Sequence, residues 1–126
     1  MRIFKNKWFA RFARKERISD ASLCEVVNEA DKGNIDADLG GGVIKQRIAR
    51  PNQGKSGGYR SIIYYRRGDK AFFVYGWSKS ERANIDEDEE KEFKRQAKLT
   101  LALKDEQILK MLENETWQEV TYDEES

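Results

Sequence analysis

In 126 residues the chain has 24 Lys/Arg, 23 Asp/Glu and no histidine, which excludes a paired-imidazole ribonuclease, a Ser-His or Cys-His nucleophile and any His-ligated metal site. The length suits one domain spanning 1–126, and the single Cys24 leaves neither an internal disulfide nor a thiolate cage. Apolar runs of no more than about five residues fall short of the roughly 20 a membrane-spanning helix needs, and the N-terminus, charged from Arg2, has no signal-peptide pattern, so a cytosolic protein without membrane contact is expected.

Met1 to Lys5 reads as a short edge strand. Trp8, Phe9, Phe12 and Ala13 recur at helical spacing and predict a helix over about 6–17. Ser19 suits the N-cap of a second helix in which Leu23, Val26, Val27 and Ala30 share a face, with Cys24 as a core residue and the end near Gly33. Asn34 to Gly42 has three consecutive glycines and no periodicity, and reads as a connecting loop. From Val43 the pattern is that of strands: Val43 to Arg50, stopped by Pro51, then Gly58 to Arg66 and Lys70 to Ser78 joined by a hairpin turn. Pro51 to Gly57, Gly-rich and longer, reads as a mobile functional loop.

The remainder returns to helices. Asp86 followed by Glu89 makes a capping box before a helix with Phe93, Ala97 and Leu101 on one face; Asp105 opens a last helix carrying Ile108, Met111 and Leu112. Trp117 to Tyr122 suits a short strand, and Asp123 to Ser126 a frayed end. The predicted fold is α+β, with an N-terminal helical hairpin packed on a small antiparallel β-sheet and C-terminal helices completing the layers.

The near-neutral total conceals a division of charge. Residues 1–82 hold 18 Lys/Arg against 9 Asp/Glu, whereas 83–126 hold 6 against 14. A polyanion is drawn to the first part and repelled by the second, provided that folding keeps them on separate faces. The densest stretch, Lys45 to Arg60, has five cations and no acid around Gly-rich sequence. Its Gly54-Lys55-Ser56 is not a P-loop, because the glycine required five residues earlier is Ala49. The acids at 86–90 begin a helix, where they serve its macrodipole, and they point in different directions, which disfavours a two-metal nuclease.

Metal-free cleavage of RNA by its own 2′-hydroxyl fits what is left: it needs a group to take a proton, a group to give one, and cations on the developing negative charge. No cofactor is expected. A lysine crowded by cations has its charged form disfavoured and approaches the range of a base, while arginine stays charged and clamps phosphate. Lys45 and Arg47 are two apart and share one face of their strand, though an ordinary amphipathic strand explains that spacing too. Arg60 sits between glycines and an apolar run, a costly place for a charge without purpose. Lys79, Ser80 and Arg82 lie where a strand leaves the sheet, whereas Arg66, Arg67 and Lys70 flank a hairpin and read as solvated surface.

Arg47-Ile-Ala-Arg50-Pro-Asn-Gln-Gly-Lys55-Ser-Gly-Gly-Tyr59-Arg60, followed by Gly76-Trp-Ser-Lys79-Ser80-Glu-Arg82, resembles the RelE-type branch of the RelE/ParE superfamily of toxins from bacterial toxin-antitoxin modules. The resemblance covers nearly the whole chain. It implies an endoribonuclease that enters the ribosomal A site and cuts messenger RNA, a toxin monomeric when free, and a cognate antitoxin encoded by an adjacent gene. It implies catalytic roles for Lys45, Arg47, Arg60, Lys79 and Arg82, with Arg50, Lys55, Tyr59 and Ser80 as further RNA contacts. Several relatives have a C-terminal tyrosine that stacks on the cleaved base; here Ala83-Asn84-Ile85 follows Arg82 instead, leaving Tyr59, Tyr75, Trp77 and Tyr122 as candidates. A ParE-like inhibitor of DNA gyrase and a non-catalytic RNA-binding module are the competing functions.

Overall fold

The computed structural model describes residues 1–50 and 54–121. In chain order they form β1 (Arg2–Asn6), α1 (Lys7–Glu16), α2 (Asp20–Asp31), β2 (Ala37–Gly40), β3 (Val43–Arg50), β4 (Gly54–Arg66), β5 (Lys70–Ser78), α3 (Glu87–Leu101), α4 (Asp105–Glu113) and β6 (Trp117–Val120). The strands make one six-stranded sheet in the order β2-β3-β4-β5-β1-β6.

Two adjacent residues explain the sheet's construction. Ile3 and Phe4 are both buried, Ile3 in the apolar cluster that includes Phe9 of α1 with Leu23 and Val27 of α2, Phe4 in the cluster that includes Ala97 and Leu101 of α3 with Ile108 of α4. A strand covered on both faces must satisfy its backbone through ladders on both edges. β5 supplies one in parallel register (Ile3↔Ala71) and β6 the other, antiparallel (Ile3↔Val120). β1 is therefore an interior strand. This corrects three expectations: the strand at Met1 to Lys5 is not an edge strand, the fold is opened by that strand and not by an N-terminal helical hairpin, and the sheet is mixed rather than antiparallel. The α+β class holds, with helices on both faces.

Caps set the helix starts where the sequence places them. Asn6 Oδ1 accepts from the Phe9 amide at 2.7 Å while its Nδ2 donates to the Val74 carbonyl at 3.1 Å, so one side chain both starts α1 and pins it to β5. Ser19 Oγ accepts from the Ser22 amide to open α2, and Asp86 and Glu89 form the reciprocal capping box of α3. Cys24 is buried in the first cluster, where burial, with Asp20 nearby, pushes its thiol above the ordinary range, as suits a packing residue.

Two segments read as loops contain strand. β2 lies within Asn34–Gly42, paired antiparallel to β3 (Asp38↔Ile44), and Gly40, Gly41 and Gly42 turn the chain with φ of 86, 63 and 83°. β4 begins at Gly54 and takes up residues assigned to the mobile loop, because Gly54 pairs with Arg50 beyond a bulge between Ile48 and Arg50. Pro51, Asn52 and Gln53, the Lys55 side chain, Tyr122 and the end expected to fray lie outside the described residues.

The bulge dictates one residue of the Gly-Gly-Tyr-Arg motif. A Cβ at Gly58 would sit 2.0 Å from the Ile48 carbonyl oxygen and 2.8 Å from the Arg50 amide nitrogen. Gly58→Ala is therefore expected to force β3 and β4 apart and lower unfolding free energy by about 1–3 kcal/mol, measured by denaturant titration; an unchanged midpoint would mean that the bulge relaxes freely.

Candidate functional site

Strand register assembles the candidate residues. Arg47 on β3 pairs with Arg60 on β4, which pairs with Trp77 on β5; one step along, Lys45 pairs with Ile62 and Ile62 with Tyr75. Paired residues project from the same face, here the face that carries Ile62, Tyr64 and Trp77 and packs against α3 and α4. Arg47 and Arg60 are thus like charges directly opposed, about 5 Å apart at Cβ, an arrangement that destabilises a sheet unless something offsets it.

Arg47 has that offset. Asp36 accepts from its Nε at 3.1 Å, its Nη2 at 3.0 Å and its backbone amide at 2.6 Å. Arg60 has none: it is in no ion pair among the described residues, and its Nη1 is buried without a hydrogen-bond partner. The one other buried side-chain polar atom without a partner, among the described residues, is Nε1 of Trp77, its neighbour in the row. Each such group costs about 1–3 kcal/mol. Both are donors only, so the missing partner is an acceptor, as phosphate oxygens are.

A second cluster adjoins the row. Lys45 Nζ donates to Asn84 Oδ1 at 3.1 Å, and the Asn84 carbonyl accepts from Arg82 Nε at 3.0 Å. Arg82 Nη1 reaches the Tyr75 hydroxyl at 3.0 Å, and both of its terminal nitrogens bond the Glu89 carboxylate. The hydrogen bonds to Glu89, then to Tyr75, raise the Arg82 pKa, and Arg82 holds Glu89 below the usual carboxylate range. Glu89 also accepts from the Asp86 amide, so one carboxylate joins the α3 cap to the cation cluster.

The other candidates are placed differently. Lys79 and Ser80 are exposed on the turn after β5, where the Glu81 and Arg82 amides bond the Ser78 carbonyl and the Ser80 and Ser78 hydroxyls lie 3.0 Å apart. Arg50 donates Nε to the Tyr59 hydroxyl at 3.1 Å and lies over its ring at 4.8 Å. Tyr59 itself is only 3 % exposed, on the opposite face of the sheet and edge-on to Phe12 of α1, so no base can reach its ring. Arg66, Arg67 and Lys70 bond Asp69 and the end of α2, away from the row. Sequence reasoning missed Asp36, Asn84 and Glu89, whose only signals were a polar loop and a cap.

Against this geometry, residues 1–120 match the RelE toxin of the RelE/RelB toxin-antitoxin system. The chain belongs to this family. No curated protein matches it. Membership in the RelE family gives the chain a toxin role and implies a cognate antitoxin. No helix among the described residues is long and apolar enough to cross a membrane.

In this RelE-family chain the Arg82–Glu89 pair has a testable pH signature. Because Glu89 is held below its unfolded value of about 4.3, its contribution to stability is present above that value and lost as pH falls through the lower folded one. Glu89→Gln is expected to melt below the parent at neutral pH, with the gap closing as pH falls through the unfolded value of about 4.3 and below it. Thermal unfolding across that range checks it; a gap that does not vary with pH would remove the ion pair as its cause.

Proposed function

We propose that this chain is a ribosome-dependent endoribonuclease that cleaves messenger RNA in the A site and so inhibits translation. One observation carries the reading: in a RelE-family chain, two arginines stand opposed across β3 and β4, and the Arg60 guanidinium keeps a buried donor without a protein acceptor. The substrate's phosphate is the group that completes this arrangement.

In the proposed reaction the 2′-oxygen attacks the adjacent phosphorus, its proton passes to a base, and the P–O5′ bond breaks as an acid protonates the departing 5′-oxygen. The products are a 2′,3′-cyclic phosphate and a 5′-hydroxyl. Arg60, with Arg47, clamps the non-bridging oxygens as negative charge builds. Lys45 and Lys79 are the ammonium groups able to exchange protons, since arginines remain charged. Arg82, braced by Tyr75 and Glu89, sets the far wall. Arg50, Lys55 and Ser80 contact flanking backbone. All groups the reaction needs come from the chain, with no cofactor or metal, and the ribosome holds the message in line. The antitoxin acts by covering the basic row or by blocking entry to the ribosome.

Production of the chain alone should arrest bacterial growth, and mapping of message 5′ ends should reveal cuts within translated codons; arrest accompanied by trapped gyrase and intact messages would overturn the reading. Arg60→Ala is expected to lower cleavage about 10²–10³-fold without loss of thermal stability, because it removes an unpartnered buried donor together with like-charge repulsion. Arg60→Lys should recover only part, lacking the guanidinium fork. An Arg60→Ala protein that still cleaves would take Arg60 out of the site.

Binding should depend steeply on salt. At about 0.7 counterions per contact, four phosphate contacts weaken affinity roughly 50-fold between 50 and 200 mM salt. Anisotropy of labelled RNA measures the slope, and a flat profile would contradict a phosphate-based site.

A further inference from the structure

We infer that an aromatic cleft on the open edge of β5, built around Trp8, binds the base of a nucleotide flanking the scissile phosphate. β1 accompanies β5 only as far as Phe73, and Asn6 caps the Val74 carbonyl; beyond that, β5 has a strand neighbour on the β4 side alone. The register shifts between Ile62 and Ile63, leaving Val74 as the extra residue, and Tyr75 there contacts both helical layers: Trp8 of α1 at 4.6 Å between ring centroids and Phe93 of α3 at 5.9 Å. Between α1 and the turn after β5 this leaves a cleft of about 540 Å³, lined by the exposed Trp8, by Phe12, Tyr75 and the almost wholly buried Trp77, and by Arg11, Lys15 and Arg82. Among the described residues, its acidic lining consists of Glu16 and Glu81.

Three features favour single-stranded RNA. Trp8 is 40 % exposed although it belongs to the apolar stripe of α1 and is stacked on Phe12, so a large ring is offered to solvent on a firm backing. Rings interleaved with cations are the chemistry that binds unpaired nucleotides: every base has a π face, and arginine and lysine meet the phosphates. The cleft is also continuous with the basic row. Trp77 is the strand partner of Arg60, and Arg82 lines the cleft while linking through Asn84 to Lys45. A strand of RNA whose phosphate lies at Arg60 thus meets Arg82 and, across the cleft, the exposed ring of Trp8. An apolar protein segment would gain from the rings but leave Arg11 and Lys15 without an opposite charge.

This assignment rests on the proposed ribonuclease reading, and a cycle of variants separates the two. The probe is a 2′-O-methyl oligouridylate, which cannot be cleaved, together with versions abasic at each position in turn. Trp8→Ala is expected to weaken binding of the intact probe about 5–150-fold, the equivalent of the ~1–3 kcal/mol of one base–aromatic stack, with Trp8→Phe restoring most of it and both variants still folded at the assay temperature. On one abasic probe the parent and Trp8→Ala should bind alike, because the base that the ring would stack on is gone. Equal binding of the intact probe by parent and Trp8→Ala would overturn the inference, as would a defect that persists on every abasic probe. Lost antitoxin binding with RNA binding retained would also overturn it and make the cleft a protein-docking surface. If the parent cleaves translated messages while the cycle shows no coupling, only the cleft assignment falls. If the coupling is present and no message is cut, the assignment stands as an RNA-binding subsite and the nuclease reading falls.

Discussion

Arg47 and Arg60 face each other across β3 and β4, and everything distinctive about this sheet face follows from holding two guanidinium groups side by side. A ladder position normally rewards apolar or oppositely charged pairs and penalises like charges. The chain meets that penalty on one side only, by turning Asp36, the residue before β2, onto Arg47. Arg60 is left with a buried donor and no acceptor, beside a second such donor on Trp77. A fold selected for stability alone would fill this row with apolar residues, as it does two steps away at Val43, Tyr64 and Phe72. On the proposed ribonuclease reading, the row is a phosphate cradle whose remaining acceptors arrive with the substrate.

The acidic part of the chain is not kept apart from the basic part. From composition, 83–126 repels a polyanion only on the condition that folding keeps the two parts on separate faces. Instead α3 packs on the same face as Arg60, and Glu89 from its first turn is bonded to Arg82. A partly exposed ion pair of this kind contributes modest stability, but it also fixes geometry: Glu89 is at once the return half of a capping box and the anchor that holds Arg82 against Tyr75 and Asn84. The start of a helix and the placing of a cation are therefore one event. The wall of the cleft beyond it, with Trp8 and Trp77, depends on Asn6 in the same double way, as cap of α1 and clasp on β5.

The sequence by itself determined everything that rests on local chemistry. Ser19 and the Asp86/Glu89 pair marked helix starts, Arg66 to Asp69 marked a hairpin, and the alternation in Val43 to Arg50 put Lys45 and Arg47 on one face, because caps, turns and strand periodicity involve residues a few positions apart. The glycines and cations from Arg47 to Arg82 were likewise legible as one motif. Only the tertiary structure decided what joins distant residues. β1 looks like an edge strand until β6, more than a hundred residues later, closes its far side; Tyr59 looks available until α1 covers it; β2 has too few buried positions to signal a strand at all. Trp8 reads as a core residue of an amphipathic helix, and its exposure beside Tyr75 arises from where β1 stops pairing with β5. Periodicity says which residues share a face of an element, but what that face meets depends on contacts between segments far apart in the chain, and those form only when the whole sheet is assembled.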